Sequence, residues 1–274
     1  MAGPELLAFI ASIAAGSFGA IVGVGGGLIL VPLLAVGLGV PLHTAIATSL
    51  LGVICVSTTA SASFLRSGLA DRRLGLTLLG ATALGGLMGG YVAGYLDARV
   101  LAALFGVVLT AVAVQMLRRG TAPHPPVSGE PGWLEFDEAY VEPSTGLEVA
   151  YRARNVGPAT VVSVFAGALS GLLGIGGGVI NVPTMNVLMG IPIRVATTTS
   201  TYMLAATAAA SAVLYFSRGD MDPALAAPVV VGVFLGARGG ATLAHRLPHR
   251  MLIFLFVAVA AFFAFQMFRK AFGS

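Results

Sequence analysis

The sequence predicts an all-α polytopic membrane protein made of two homologous repeats. Three observations predict it. The 274 residues are 57% hydrophobic and only 9% charged, with mean hydropathy +0.94, whereas a soluble domain carries about 25% charged residues. Two long apolar runs are each interrupted by a triple glycine, at Gly25-Gly26-Gly27 and at Gly176-Gly177-Gly178. One fixed offset of 151 residues lays the first half of the chain on the second.

The composition excludes several functions. A net charge of +4 in a membrane protein reflects arginine-rich cytoplasmic loops. No basic soluble surface exists for nucleic acid. Cys55 is the single cysteine, so neither an intrachain disulfide nor a cysteine-based metal site is available. The N-terminus lacks a basic n-region, so no cleavable signal peptide is expected. The expected location is the plasma membrane of a bacterium, as a multi-pass protein.

The first repeat spans 1–119. Residues 6–39 are almost continuously apolar, more than the roughly 20 residues one helix needs to span. Glycine loses the most backbone entropy on folding and offers no side chain to pack. The triple glycine therefore divides the run into Leu6–Val22 and Leu28–Gly39. The pair is either one long broken helix or a re-entrant hairpin. Helices follow at Thr44–Leu65, Leu74–Leu96 and Val100–Leu117. The third segment is lined with Gly80, Gly85, Gly86, Gly89, Gly90 and Gly94, which let helix backbones approach closely in lipid.

Residues 120–157 form a soluble linker. It holds six of the chain's eleven acids and its one tryptophan, Trp133. A short hairpin at Ala139–Ala150 fits the pattern, as either a small ordered patch or part of a disordered tether. The second repeat, 158–274, has segments at 159–190, 195–216, 224–246 and 251–268, for about eight in all. Gly16 meets Gly167, Pro32 meets Pro183, and Thr48-Ser49 meets Thr199-Ser200 at the common offset. One offset over about 100 residues indicates duplication.

Charge bias orients such halves. Four crossings per half give parallel repeats. A glycine hairpin that turns back gives three crossings and inverted repeats. Each model sorts the basic residues ten to four, with the linker in the cytoplasm, so the count does not decide. Charge does swap between matching loops. The Arg66–Arg73 loop is basic while Arg218–Asp222 carries two acids, and Asp97–Arg99 is neutral while its partner holds His245, Arg246, His249 and Arg250. That swap favours inversion. Against it, Arg118-Arg119 and Arg269-Lys270 are both basic.

The candidate site follows from what the spans contain. Broken backbone at membrane depth is tolerated where it lines a cavity, and matching breaks in two halves point to a transport site. Half-helix N-termini offer N–H groups and a positive dipole end. The expected substrate-binding residues are Gly25, Gly26, Gly27, Thr48 and Ser49 in the first half. In the second they are Gly176, Gly177, Gly178, Asn181, Thr199, Ser200 and Arg238. Arg238 sits mid-segment in Gly236-Ala-Arg-Gly-Gly240, where a buried arginine is costly and could anchor an oxyanion bidentately. No carboxylate falls within a span, which argues against a cation carrier. Any proton coupling must use a histidine or a proton on the substrate. His245 and His249 stand one turn apart, but two histidines make a weak metal site. No cofactor, metal or catalytic residue is expected. The partners expected are a small anion and the bilayer, with oligomeric state open. The reading is a secondary carrier of a small anion, with an anion channel or a membrane enzyme as alternatives.

At Gly23–Pro32 and Gly174–Pro183 the sequence resembles the TauE/SafE family of sulfite exporters and sulfonate-uptake permeases. The shared pattern is Gly-x-Gly-Gly-Gly-x-[Ile/Leu]-x-Val-Pro, twice, each followed by Ala-x-x-Thr-Ser, here Ala45–Ser49 and Ala196–Ser200. The resemblance implies transport of sulfite, thiosulfate, sulfoacetate or other sulfonates, in either direction. The long linker departs from the short loops common in that family.

Overall fold

The computed structural model describes residues 4–22, 26–66, 69–118, 136–141, 146–244 and 249–272. In the first half, α1 covers Pro4–Val22, α2 Gly27–Pro32, α3 Leu42–Arg66, α4 Arg72–Ala93 and α5 Ala98–Arg118. Strands β1, Phe136–Val141, and β2, Glu148–Ala153, form an antiparallel hairpin that pairs Ala139 with Ala150. In the second half, α6 covers Val156–Leu173, α7 Gly178–Pro183, α8 Ile193–Ser217, α9 Pro223–Ala244 and α10 His249–Phe272. Among the described residues, α4 and α6 are long and apolar enough over their whole length to cross a bilayer, as are Leu42–Ser61 of α3 and Ala98–Gln115 of α5.

Each short helix ends on a proline, Pro32 or Pro183, and widens into a π-helical turn, Leu33–Gly37 or Thr184–Leu188. Proline has no N–H for the i→i−4 ladder, so the register shifts outward at the same place in both halves. Each piece then stops at a glycine with positive φ, Gly39 at 68° and Gly190 at 74°.

Small residues set the packing. In α1 and α9, Phe9 lies against Gly232 and Ile13 against Gly236, so these helices run in the same direction. In α4 and α6, Thr82 lies against Gly167 and Gly86 against Gly171, again in parallel. A Cβ at Gly85 would collide with the Val164 carbonyl, and one at Gly236 with the Ile13 carbonyl. These contacts match at an offset of 151, with each half lending one helix of the pair to the other. Helices α3 and α8 run antiparallel. Ser57 Oγ donates to the Thr201 carbonyl, and Thr198 Oγ1, near the start of α8, donates to the Leu69 carbonyl just beyond α3.

Direction along these contacts gives the molecule two ends. One holds Leu69–Asp71, the β-hairpin, Leu188–Met189 and the start of α8, tied by the Arg154 N–H to the Met189 carbonyl at 3.1 Å and by Asn155 Nδ2 to the Leu188 carbonyl at 2.9 Å. The other holds Gly39–Pro41, Gly94 and Arg218–Asp222. There Arg218 donates to the Gly90 carbonyl, and Lys270 donates to the Ala35 carbonyl at 2.7 Å. These are called the linker end and the far end below.

Candidate functional site

The two glycine breaks meet. A Cβ on Gly27 would sit 2.5 Å from the Gly174 carbonyl oxygen and 2.8 Å from Val53 Cγ2. Gly26 (φ 74°) and Gly174 (φ 67°) occupy the left-handed region, which suits glycine. Ser49 Oγ donates to the Gly174 carbonyl at 2.9 Å, so a residue of the first half fastens the break of the second. Gly178, the start of α7, faces Ser200: a Cβ there would be 3.3 Å from its Oγ. Gly177 packs toward the Ala166 carbonyl of α6 and the Asn181 amide nitrogen.

Around these breaks lie buried polar atoms with no hydrogen-bond partner. They include Thr48 Oγ1, Ser200 Oγ and Asn181 Oδ1, on residues at most 1% exposed. Ser163 Oγ and Ser170 Oγ of α6 share this condition. An unsatisfied buried polar group costs about 1–3 kcal/mol, and most such groups in folded proteins find a partner. Several around one pair of helix breaks suit a polar ligand.

The expected site residues divide on this geometry. Gly26, Gly27, Ser49, Gly176, Gly177, Gly178, Asn181 and Ser200 lie at the meeting breaks, and Thr48 directly precedes Ser49 on α3. Gly25 and His245 lie outside the described residues. Thr199 is buried too, but its Oγ1 already accepts the Asp71 N–H at 2.9 Å. Arg238 does not join them. Its side chain is exposed, with the guanidinium 5.6 Å from the Phe234 ring centre on the outer face of α9. Its placement as a buried anion anchor is therefore corrected. Residues two apart are turned about 200° around a helix, so the face that packs Gly236 on Ile13 carries Arg238 outward.

The sequence reading missed Asp71, Tyr151, Ser163 and Ser170. Among the described residues, the buried charged side chains are Asp71 and Arg152, both at the linker end. Asp71 caps α4 by accepting the Leu74 N–H at 2.9 Å and accepts the Tyr151 hydroxyl at 2.8 Å. Burial first, then the Asp71 charge, pushes the Tyr151 hydroxyl well above the ordinary tyrosine range, so it remains a donor. Arg152 pairs with Asp137 across the hairpin through Nη2–Oδ2 at 2.8 Å, which holds the Asp137 carboxyl below the usual aspartate range. Asp71 was legible as a helix cap. Its burial was not, because the covering strand lies 80 residues away.

At the far end a cavity of about 370 Å³ is lined by Val40, Pro41, Thr44, Asp222, Leu225 and neighbours. Thr44 stands one helical turn below Thr48.

Broken short helices meeting between two sets of longer apolar helices, around unpartnered buried hydroxyls, describe a helical membrane transport protein. The chain belongs to the TauE/SafE family: the family model described as sulfite exporter TauE/SafE matches residues 8–267. Among curated relatives, the probable membrane transporter protein YunE of Bacillus subtilis (strain 168) is 26% identical over 249 residues, covering 88% of this chain and 89% of the relative. The probable membrane transporter protein YdhB of the same organism is 28% identical over 242 residues, covering 87% and 91%. No solved structure matches.

Proposed function

We propose that this transporter is a secondary carrier of a small sulfur oxyanion or organosulfonate, working by alternating access between two inverted halves. Each half is then one glycine-turned hairpin plus three crossings. The observation that carries the reading is the contact of the two breaks, Gly27 against Gly174, among unpartnered buried donors at Thr48 and Ser200. Parallel pairing of α1 with α9 and of α4 with α6, with α3 antiparallel to α8, supports inversion. In that arrangement the linker end gathers ten of the fourteen loop arginines and lysines and faces the cytoplasm. The centre offers hydroxyls, an amide and helix starts, and the described charged residues stay out of it. That chemistry suits a compact oxyanion held by hydrogen bonds. The family's description as a sulfite exporter supports a sulfur oxyanion as the cargo.

The test is thermal stabilisation of the detergent-purified protein across sulfite, thiosulfate, sulfate, taurine and sulfoacetate, followed by counterflow from preloaded vesicles. Stabilisation by at least one sulfur anion, with saturable counterflow of the same anion, is expected. Unitary currents without counterflow would replace the carrier with a channel.

A further inference from the structure

Positions 151 residues apart behave oppositely at the two ends. At the far end Val40, Pro41, Thr44, Asp222 and Leu225 line the cavity. Their counterparts at the linker end are Ile191, Pro192, Val195, Asp71 and Leu74, and all five are buried. Tyr140, Tyr151 and Ala153 of the hairpin pack into the same apolar cluster as Leu74, Ile191 and Val195. The linker occurs once in the chain, and among the described residues this cover lies at one end.

A chain of hydrogen bonds runs from the cover to the centre. The Tyr151 hydroxyl donates to Asp71 Oδ2, and the Asp71 N–H donates to Thr199 Oγ1. At the far end Asp222 is exposed, and its Oδ1 accepts the N–H of Ala224, two residues on. Thr48, the counterpart of Thr199, has a hydroxyl without a partner.

We propose that the β1–β2 hairpin is the linker-end gate of the carrier, latched by Tyr151 on Asp71, and that unlatching frees Thr199 for the substrate. This rests on the alternating-access reading above. The structure is then the far-open, linker-closed state. In the opposite state Thr48 is engaged and Thr199 is released. Asp71 acts as a positioning residue, since it reaches the site only through Thr199. A bond to a charged group contributes enough that its loss shifts a two-state balance about tenfold or more.

The experiment uses full-length protein in a Cys55→Ala background, with Val195→Cys as probe at the linker end and Thr44→Cys at the far end. An impermeant maleimide is applied from the appropriate side in inside-out and right-side-out vesicles. With the latch intact, Thr44→Cys reacts and Val195→Cys is protected. Adding Tyr151→Phe, which keeps the ring and removes the hydroxyl, is expected to raise Val195→Cys labelling about tenfold and to lower that of Thr44→Cys. Asp71→Asn, which can still cap α4, should act the same way and serves if Tyr151→Phe folds poorly. Unchanged labelling at both probes overturns the latch. A rise at both means a loosened fold and also overturns it. A rise at Val195→Cys with Thr44→Cys unchanged leaves the latch standing and overturns alternating access.

Discussion

Asp71 and Asp222 occupy matching positions, each just before a long helix, yet their surroundings differ. Asp71 is buried at 8% exposure beneath Tyr151, while Asp222 is exposed at the rim of a cavity. Local sequence does not account for this, since both carboxylates take a nearby helix N–H as a cap would. The difference comes from a segment present once, the hairpin between the halves. Positions matched at the 151-residue offset thus differ in cover, and the hairpin, which has no counterpart at that offset, covers one of them. The same inequality reaches the centre, where Thr199 is occupied and Thr48 is not.

The sharpest way to break the comparison is at its shared framework. Gly85 and Gly236 make matching contacts on the opposing helices α6 and α1. Gly85→Leu and Gly236→Leu should each cost several kcal/mol, about the range expected for severe overpacking. Little monodisperse protein should survive gel filtration in either case. If one variant behaves normally, the two crossings are not equivalent in energy, whatever their geometry.

The ends come next. Leu147 lies at the exposed tip of the hairpin, and Asp222 at the far mouth. In a Cys55→Ala background, Asp222→Cys should label with an impermeant maleimide in intact cells, and Leu147→Cys only after lysis. The reverse pattern would keep the two-ended fold and invert its orientation. Labelling of both in intact cells would place the two ends on one side and sink the inverted arrangement.

Ser49 and Ser200 sharpen the comparison at the site. Ser49 fastens Gly174, and Ser200 has no partner. Ser49→Ala should lower stability by about 1–3 kcal/mol, because it strands a buried carbonyl. Ser200→Ala should leave the melting curve within about 0.5 kcal/mol of the parent, like a change that removes no contact. It should instead weaken stabilisation by the ligand. Equal melting losses in both would make Ser200 a structural residue.

Much of this was legible in the sequence. The breaks at Gly26-Gly27 and Gly176–Gly178 and the helices from Thr44, Leu74 and Val100 need only hydropathy and glycine chemistry, and the helix ends fall within a few residues. The turn-back of α1 on α2 was legible only in part: both topologies sort the charges ten to four, and the swap between matching loops leaned to inversion. The parallel pairing of α1 with α9 and of α4 with α6, which bears on it, is a long-range property. Asp71 was hidden for a similar reason: capping is local, but burial by Tyr151 requires the linker to fold back. The unpartnered serines Ser163 and Ser170 gave no signal, since serine in an apolar helix usually bonds back to the chain.

Arg238 should give the smallest effect, and it marks where one-dimensional reading failed. A lone arginine among glycines suggests a buried anchor. The helix instead turns it outward over Phe234, where a long side chain can carry its charge to an interface. An exposed arginine on the outer face of α9 lies over Phe234 and not at the meeting breaks. Arg238→Gln is therefore expected to retain uptake within about twofold and to keep full ligand stabilisation, and Arg238→Lys should be indistinguishable from the parent. Loss of ligand stabilisation in Arg238→Gln with its rescue in Arg238→Lys would return a positive charge to the transport path. The unpartnered hydroxyls at Thr48 and Ser200 would then hold only part of the anion.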